Sequence, residues 1–167
     1  RMERQDLQLD IKPQSLAVLA DLLRSRVQSQ IDRNGFELQF RSLEAPANIQ
    51  LMVDADALIQ VVLNLVDNVS TFSRTATEKR IDVVVSADAV SVNFIVRDFG
   101  PGVPLDQQQK IFDLFYRVGN ELTRDTQGTG IGLALVRQLA RAMAGKVSVC
   151  NVQPGAEFTL SLPRLKS

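Results

Sequence analysis

Two glycine-rich turns, separated by a long polar loop, constrain this chain more than any other feature of its sequence. The first turn, residues 98–104, follows alternating apolar residues typical of a strand, and the second, residues 128–133, leads into an apolar helix. Glycine permits positive φ angles and close approach of the backbone to a ligand, and free N–H groups at a helix start bind anions. We therefore predict a nucleotide site at these turns, covered by a mobile lid over residues 99–127.

Charge and the missing histidine exclude several classes of function. The 167 residues suit a single domain, which we predict to span residues 1–167. With 19 basic and 19 acidic residues the formal net charge is zero, whereas nucleic-acid-binding domains are usually clearly basic, so no nucleic-acid partner is expected. Because the chain has no histidine and one cysteine, Cys150, a histidine-dependent triad and an internal disulfide are excluded, and a structural zinc site is not expected.

Neither a membrane span nor a signal peptide is visible in the sequence. No apolar run approaches the roughly 20 residues that a membrane-spanning helix requires. The chain begins with Arg1 rather than methionine, which is compatible with a fragment whose membrane anchor has been removed.

The spacing of apolar residues predicts three helices and seven strands. The first strand alternates through Leu7, Leu9 and Ile11 and ends at Pro13, and the last helix is nearly apolar all round, so we expect it to be buried. Helices mix with antiparallel-looking strands, which favours a two-layer α/β sandwich (α+β), a mixed sheet covered on one face by helices. The other predicted elements are helices to Asn34 after an N-cap at Ser15, over 55–73 and over 131–144, and strands over 36–40, 49–53, 81–87, 90–97, 147–151 and 157–163.

Three polar residues on the predicted 55–73 helix are candidates for a metal site. Asn64 and Asn68 are spaced i, i+4, and Thr71 follows on the same stripe. Two amide oxygens that face one way can help to bind Mg²⁺ that keeps waters and phosphate oxygens. An ordinary solvated helix face explains the same pattern, although asparagine inside a helix is mildly unfavourable and two on one stripe indicate a purpose.

The turn residues also admit two interpretations each. Asp98, which ends a strand, could accept a hydrogen bond from an exocyclic amine such as that of adenine, or it could simply cap a turn. The glycines at 128, 130 and 132 could wrap phosphates, but their spacing matches neither a P-loop nor a dinucleotide motif. Between the turns, residues 111–118 include three aromatic side chains, which could form a satellite core. Arg117 and Arg124 are candidate phosphate contacts or surface charges.

Taken in order and spacing, four segments resemble the catalytic, ATP-binding domain of sensor histidine kinases, in the GHKL superfamily with the Bergerat fold. Residues 60–68 are similar to its N box, 98–104 to its G1 box, 111–118 to its F box and 128–136 to its G2 box. The resemblance covers about residues 7–163, nearly the whole chain.

The resemblance implies the ligands ATP and Mg²⁺ and assigns roles by position. Asn68 would be the main magnesium-linked amide with Asn64 beside it, both catalytic, and Asp98 would bind the adenine amine. The remaining implied nucleotide contacts are Thr71, Gly100, Gly102, Tyr116, Arg117, Gly128, Thr129, Gly130, Ile131, Gly132 and Leu133.

Two departures from the family pattern affect the expected chemistry. Thr71 stands where the family commonly has a lysine near the phosphates, so ATP affinity is expected to be weaker unless Arg117 or Arg124 substitutes. The phosphoacceptor histidine is absent, and in the family it lies on a separate dimerisation and phosphoacceptor domain of the same protein or its dimer mate. The implied function is transfer of the ATP γ-phosphoryl group to that histidine, with a response regulator as an indirect partner.

The same resemblance implies a cytoplasmic domain of a membrane-bound bacterial sensor kinase, monomeric alone and dimeric at full length. Three alternatives stay open: a serine kinase of the anti-sigma-factor type, a non-catalytic regulatory module, and an ATPase of the superfamily. ATPases of the superfamily place a glutamate where this chain has Asn64, which predicts slow or negligible hydrolysis.

Overall fold

The structure, a computed structural model, describes residues 8–42, 48–113 and 132–165. In these ranges it contains three α-helices and seven strands, in the predicted order. The helices are α1 (Leu16–Asn34), α2 (Ala55–Phe72) and α3 (Gly132–Ala142). The strands are β1 (Lys12–Ser15), β2 (Glu37–Ser42), β3 (Gln50–Val53), β4 (Arg80–Ala87), β5 (Ser91–Arg97), β6 (Lys146–Asn151) and β7 (Ala156–Pro163), and two 3₁₀ turns span Leu105–Gln107 and Lys110–Phe112.

Five of the strands form one mixed sheet, in the order β2-β4-β5-β7-β6. β2 pairs with β4 in parallel, and the other three pairs are antiparallel. β1 and β3 form a separate antiparallel pair. The mixed sheet confirms the predicted α+β class.

The core lies between one face of the sheet and the helices. Alternate residues of β4, β5 and β7 are buried, whereas most of the residues between them are half-buried. The buried residues include Ile81, Val83, Val85, Val92, Phe94, Val96, Phe158, Leu160 and Leu162. Burial of every second side chain is the expected result when helices cover only one face, and it confirms the two-layer arrangement.

Local signals set the ends of the helices. Ser15 caps α1, because its Oγ accepts a hydrogen bond from Val18 N at 3.4 Å, and Gly35 ends the helix with φ 77°. Asp54 caps α2, with Oδ1 3.0 Å from Ala57 N. The other carboxylate oxygen accepts from Asp10 N at 2.8 Å, so it joins the segment that precedes β1 to the start of α2. That bond is the main reason that the pKa of Asp54 is lowered.

Two sequence predictions about these elements were wrong. The first strand contains Pro13 instead of ending at it, because β1 pairs with β3 alone among the described strands and an edge position does not require a proline N–H. The last helix is not buried all round, since Arg141 is exposed and Arg137 is half-buried on the side away from the core. Among the described residues, no helix is both long and apolar enough to cross a membrane.

Candidate functional site

Asp98 lies directly after β5 and is fully buried. Its Oδ1 accepts two backbone hydrogen bonds, from Gly100 N at 2.9 Å and from Ala156 N at 3.2 Å. Its Oδ2 is equally buried but has no partner in the described part of the chain. Since buried polar atoms are nearly always paired, this oxygen is an exception within the described residues, and chemically it can accept a hydrogen bond from a donor.

Glycines allow the backbone to close around this carboxylate. Gly155 has φ +101°, and a Cβ there would lie 2.7 Å from Asp98 Oδ1. A Cβ at Gly100 would lie 2.8 Å from the Cβ of Ser73, the buried residue that follows α2. Side chains at these two positions would therefore push the turn away from its neighbours.

The environment of Asp98 has opposing effects on the pKa of its carboxyl group. Burial raises the pKa of the carboxyl above its ordinary value of 3.8, while the hydrogen bonds from Gly100 and Ala156 and the charge of Arg97 lower it. Burial is the larger influence. A bound donor that shares a hydrogen bond with Oδ2 would relieve part of this cost.

The pH dependence of stability tests the buried charge. Because the folded pKa of Asp98 is raised, the folded state binds this proton more tightly than the unfolded state, and stability falls as the pH rises through the folded pKa. Asp98→Asn removes that penalty. We expect it to raise the melting temperature at neutral pH, and the gain should shrink as the pH approaches 3.8 in thermal melts.

Asp88→Asn is a matched control for which we expect the opposite change in melting temperature. Asp88 Oδ1 also accepts two backbone hydrogen bonds, from Val90 N at 2.9 Å and Ser91 N at 2.8 Å. These bonds hold its pKa below the ordinary value, so its contribution is present above the unfolded pKa and is lost as the pH falls. Asp88→Asn should lower the melting temperature at neutral pH. A fall of similar size in Asp98→Asn would contradict the buried-charge interpretation.

The amides of α2 occupy one half-buried stripe, as predicted. Asn68 Nδ2 donates to Asn64 O at 2.8 Å, so this bond uses the amide nitrogen and not Oδ1, the atom that can ligate a metal. Asn64 Oδ1 accepts from Gln60 Nε2 at 3.2 Å. Thr71 Oγ1 bonds back to Asp67 O at 3.1 Å. Asn68 is therefore the better placed of the two asparagines for a metal ion.

The start of α3 lies beside this stripe. An added Cβ at Gly132 would be 3.7 Å from Asn68 Nδ2, and the next residue, Leu133, is buried in the core. The structure thus brings the end of the second glycine turn to the helix that carries the amides. Six predicted contacts, Tyr116, Arg117, Gly128, Thr129, Gly130 and Ile131, lie outside the described residues, as does Arg124.

The first half of the predicted lid is anchored to the core. Phe112 is buried and packs edge-on against Phe158, with ring centroids 6.2 Å apart, and Phe72 stacks on Phe158 at the same distance. Asp113 pairs with Arg137 of α3 at 3.3 Å. Ile111 and Phe112 thus belong to the main core rather than to a separate satellite core, because Phe112 packs on the sheet, and the satellite-core prediction was wrong for these two residues. This described range ends at Asp113.

Sequence reasoning missed two contacts of the first glycine turn. The guanidinium groups of Arg80 and Arg97 lie 4.5 and 4.2 Å from the centre of the Phe99 ring. Asn151, at the end of β6, forms two hydrogen bonds with Val103. No local pattern marks Arg80 or Asn151, because they reach the turn from β4 and β6, which are distant in sequence, whereas Arg97 lies only two residues before Phe99.

In the described part of the chain, the site lacks a complete set of protein ligands for a metal ion. Within residues 8–42, 48–113 and 132–165 there is no group of three or more acidic or cysteine side chains that could hold one. An ion at Asn68 would therefore need oxygen atoms from a bound ligand or water, which is how Mg²⁺ is usually held beside phosphates.

Comparisons with known proteins agree with this geometry. The family model described as "Histidine kinase-, DNA gyrase B-, and HSP90-like ATPase" matches residues 53–166. Sensor protein SrrB of Staphylococcus aureus is 28% identical over 167 residues, which are 98% of this chain and 27% of the relative. The chain thus spans about a quarter of the length of the curated relatives that it matches.

Two solved structures share the fold. The mycobacterial sensor histidine kinase MprB has a TM-score of 0.73 and 26% identity, covering 93% of this chain and 100% of that one. Full-length ShkA, in complex with AMPPNP, has a TM-score of 0.75 and 27% identity, covering 96% of this chain and 32% of that one.

Proposed function

The chain belongs to the family of histidine kinase-, DNA gyrase B- and HSP90-like ATPases, and we propose that it is the catalytic domain of a two-component sensor histidine kinase. In this function it binds ATP and transfers the γ-phosphoryl group to a histidine of a separate domain, since it has no histidine itself. The sensor proteins and sensor histidine kinases among its relatives support this choice within the family.

The observation that carries the proposal is the buried Oδ2 of Asp98, which has no hydrogen-bond partner in residues 8–42, 48–113 and 132–165. A buried carboxylate oxygen without a donor favours a ligand with an exocyclic amine, and the 6-amino group of adenine has that chemistry. Gly100, whose backbone N–H holds the other oxygen, keeps the carboxylate in one orientation. The ligand would thus be recognised by its base.

Phosphoryl transfer in this site depends on positioning and neutralisation of charge. Mg²⁺, when bound, would neutralise negative charge on the phosphates, and Asn68 Oδ1 would be its protein ligand. The backbone N–H groups at the beginning of α3, next to Gly132, would receive phosphate oxygens, because helix N-termini bind anions. A neutral imidazole is already nucleophilic, so this chain has no need of a general base.

Asn64 supports transfer to a protein over hydrolysis. In ATPases of the superfamily a glutamate at this position activates water as a general base. An asparagine amide cannot take up that proton, so Asn64 cannot play this role. The Asn64 side chain is moreover bonded to Gln60, on the same face of α2. Slow hydrolysis by the isolated chain fits a kinase.

A two-part assay tests the proposal. The chain is first titrated with ATP, with and without Mg²⁺, and then incubated with γ-labelled ATP and a histidine-bearing helical-hairpin domain. We expect saturable, magnesium-enhanced binding and an acid-labile, base-stable phosphoryl group on the hairpin. Acid-stable labelling would indicate a serine kinase, rapid release of phosphate an ATPase, and no binding at millimolar ATP a regulatory module.

Thr71 is the observation that favours the regulatory module as a second candidate. Its uncharged side chain lies one turn beyond Asn68, and its hydroxyl is bonded to Asp67 O. Thr71→Lys would place an ammonium group beside the phosphates. We expect it to tighten ATP binding about 3–10-fold, the effect of one partly exposed ion pair.

Salt dependence and a matched variant make the Thr71→Lys measurement specific. The gain should decrease as the ionic strength rises in calorimetric titrations. Ser25→Lys adds the same charge on the exposed side of α1 and should leave the affinity unchanged. Equal gains in both variants would show a general effect of charge rather than a phosphate contact.

The wider context follows from the same proposal. The domain spans residues 1–167, lies in the cytoplasm as part of a membrane-bound sensor kinase, and is monomeric alone. The full-length protein is a dimer whose phosphoacceptor domain passes the phosphoryl group to a response regulator. Relatives about four times as long as this chain support such a multidomain context.

A further inference from the structure

Asn151 forms a two-point contact with the first glycine turn. Its Oδ1 accepts from Val103 N at 2.8 Å, and its Nδ2 donates to Val103 O at 2.9 Å. The backbone N–H and C=O of Val103 are thereby both paired with the side-chain amide of Asn151, as they would be with the backbone of a neighbouring strand. Two bonds fix the orientation of the amide as well as its distance.

The glycine before Val103 is adapted to this contact. Gly102 has φ +84°, and a Cβ there would lie 2.7 Å from Asn151 Oδ1. A side chain at position 102 would therefore collide with the amide oxygen as well as strain the backbone. The close approach explains why glycine stands at this position independently of any nucleotide.

The same hairpin holds the other end of the turn. Ala156, paired with Asn151 across β6 and β7, donates to Asp98 Oδ1, and Asp98 N donates to Ala156 O at 3.0 Å. Arg97 Nη2 donates to Pro154 O at 2.9 Å. The tip of the β6–β7 hairpin thus contacts the turn on both sides of Gly100, the residue whose N–H fixes Asp98.

We propose that Asn151 is a positioning residue for base recognition: by holding Val103 it keeps Gly100 N on Asp98 Oδ1, so that Asp98 Oδ2 points into the site. Asn151 itself touches no ligand in this scheme. The inference deepens the proposed nucleotide-binding function and rests on it. Its consequence is that Asn151 controls the preference for an amino group over a carbonyl group on the purine.

Inosine triphosphate is the probe that separates this role from general stability. It carries a carbonyl oxygen where ATP carries the 6-amino group, so it cannot donate to Asp98 Oδ2 at that position. In Asn151→Ala we expect ATP affinity to fall about 3–10-fold and the affinity for inosine triphosphate to stay the same. A purely structural defect would weaken both nucleotides by one factor.

Three further variants complete the test. Asn93→Ala removes the same side chain from the outer face of β5, and it should change neither affinity. Asn151→Ser, too short to reach both groups of Val103, should behave like Asn151→Ala and provides a second route if alanine impairs folding. Gly102→Ala should cost less in the Asn151→Ala background than alone, because the amide that it displaces is absent.

Amide hydrogen exchange provides a readout without nucleotide. Asn151→Ala should increase exchange at Gly100 and Val103, whose N–H groups are bonded in the intact turn. Unchanged exchange, or an unchanged ratio of the two nucleotide affinities, would overturn the proposed role of Asn151 but not the proposed function of the domain. Absence of ATP binding by the wild-type chain would overturn the proposed function together with this inference.

Discussion

Asp98→Asn is expected to weaken ATP binding about 100-fold, the upper end of what loss of one hydrogen bond to a charged group costs. Gly100 N and Ala156 N both donate to Oδ1, so the asparagine must place its carbonyl oxygen there. Its NH₂ group then replaces Oδ2 and faces the adenine amine, donor against donor. Isothermal titration with ATP, with and without Mg²⁺, measures the loss.

Two comparisons make this result decisive. Asp88→Asn alters a carboxylate that also accepts two backbone bonds but lies at the opposite end of β5, so it should leave ATP affinity within about twofold. A melting temperature of Asp98→Asn at or above that of the wild type would show that the lost binding is not the result of lost folding. An ATP affinity of Asp98→Asn within about threefold of that of the wild type would contradict base recognition by this residue.

Asn68→Ala is expected to slow magnesium-dependent phosphoryl transfer by at least about 100-fold, because a metal ion supplies several kcal/mol of charge stabilisation in such reactions. The variant removes the available oxygen of the stripe while Asp98 still holds the base. Nucleotide binding in EDTA should therefore be retained. Transfer rates at increasing Mg²⁺ concentrations, followed with labelled ATP, measure the effect.

Asn64→Ala is the matched control, one helical turn earlier. The Asn64 oxygen is already bonded to Gln60, so its loss should cost less than that of Asn68. Alanine has the higher helix propensity, so α2 should persist in both variants, and circular dichroism checks this. A larger loss in Asn64→Ala than in Asn68→Ala would reverse the assignment of the metal ligand.

Features encoded within a short stretch were predictable. Ser15 and the pair Asn34-Gly35 mark both ends of α1, since caps act on the nearest N–H and C=O groups. The stripe of Asn64, Asn68 and Thr71 follows from helical periodicity alone, and the structure places all three residues on α2 as expected. Asp98 was predictable as a candidate, but its burial was not.

Features that depend on distant partners were not predictable from the residues themselves. Asp98 and Ala156 are 58 positions apart, and Val103 and Asn151 are 48 apart. Whether an aspartate caps a turn or awaits a ligand depends on which atoms surround its second oxygen. The donor that holds the first oxygen, Ala156 N, comes from the β6–β7 hairpin, whose place beside β5 no local pattern specifies.

The errors in the sequence prediction have the same origin. The alternation around Ile11 favoured a strand ending at Pro13, but the strand forms where β3 offers a partner, at Lys12–Ser15. The composition of α3 predicted burial on all sides, but the sheet and α2 cover only one. Strand position and helix burial are decided by what packs against them.

By itself, the sequence determined the α+β class, the order of the elements and the identity of the polar side chains available for chemistry, because periodicity and caps act over a few residues. Only the tertiary structure decided which side chains meet. It placed β7 between β5 and β6, brought Gly132 to Asn68, and buried Asp98 Oδ2 without a partner among the residues that the structure describes. Burial and hydrogen-bond satisfaction are properties of the assembled chain, since water is excluded only when distant segments pack together.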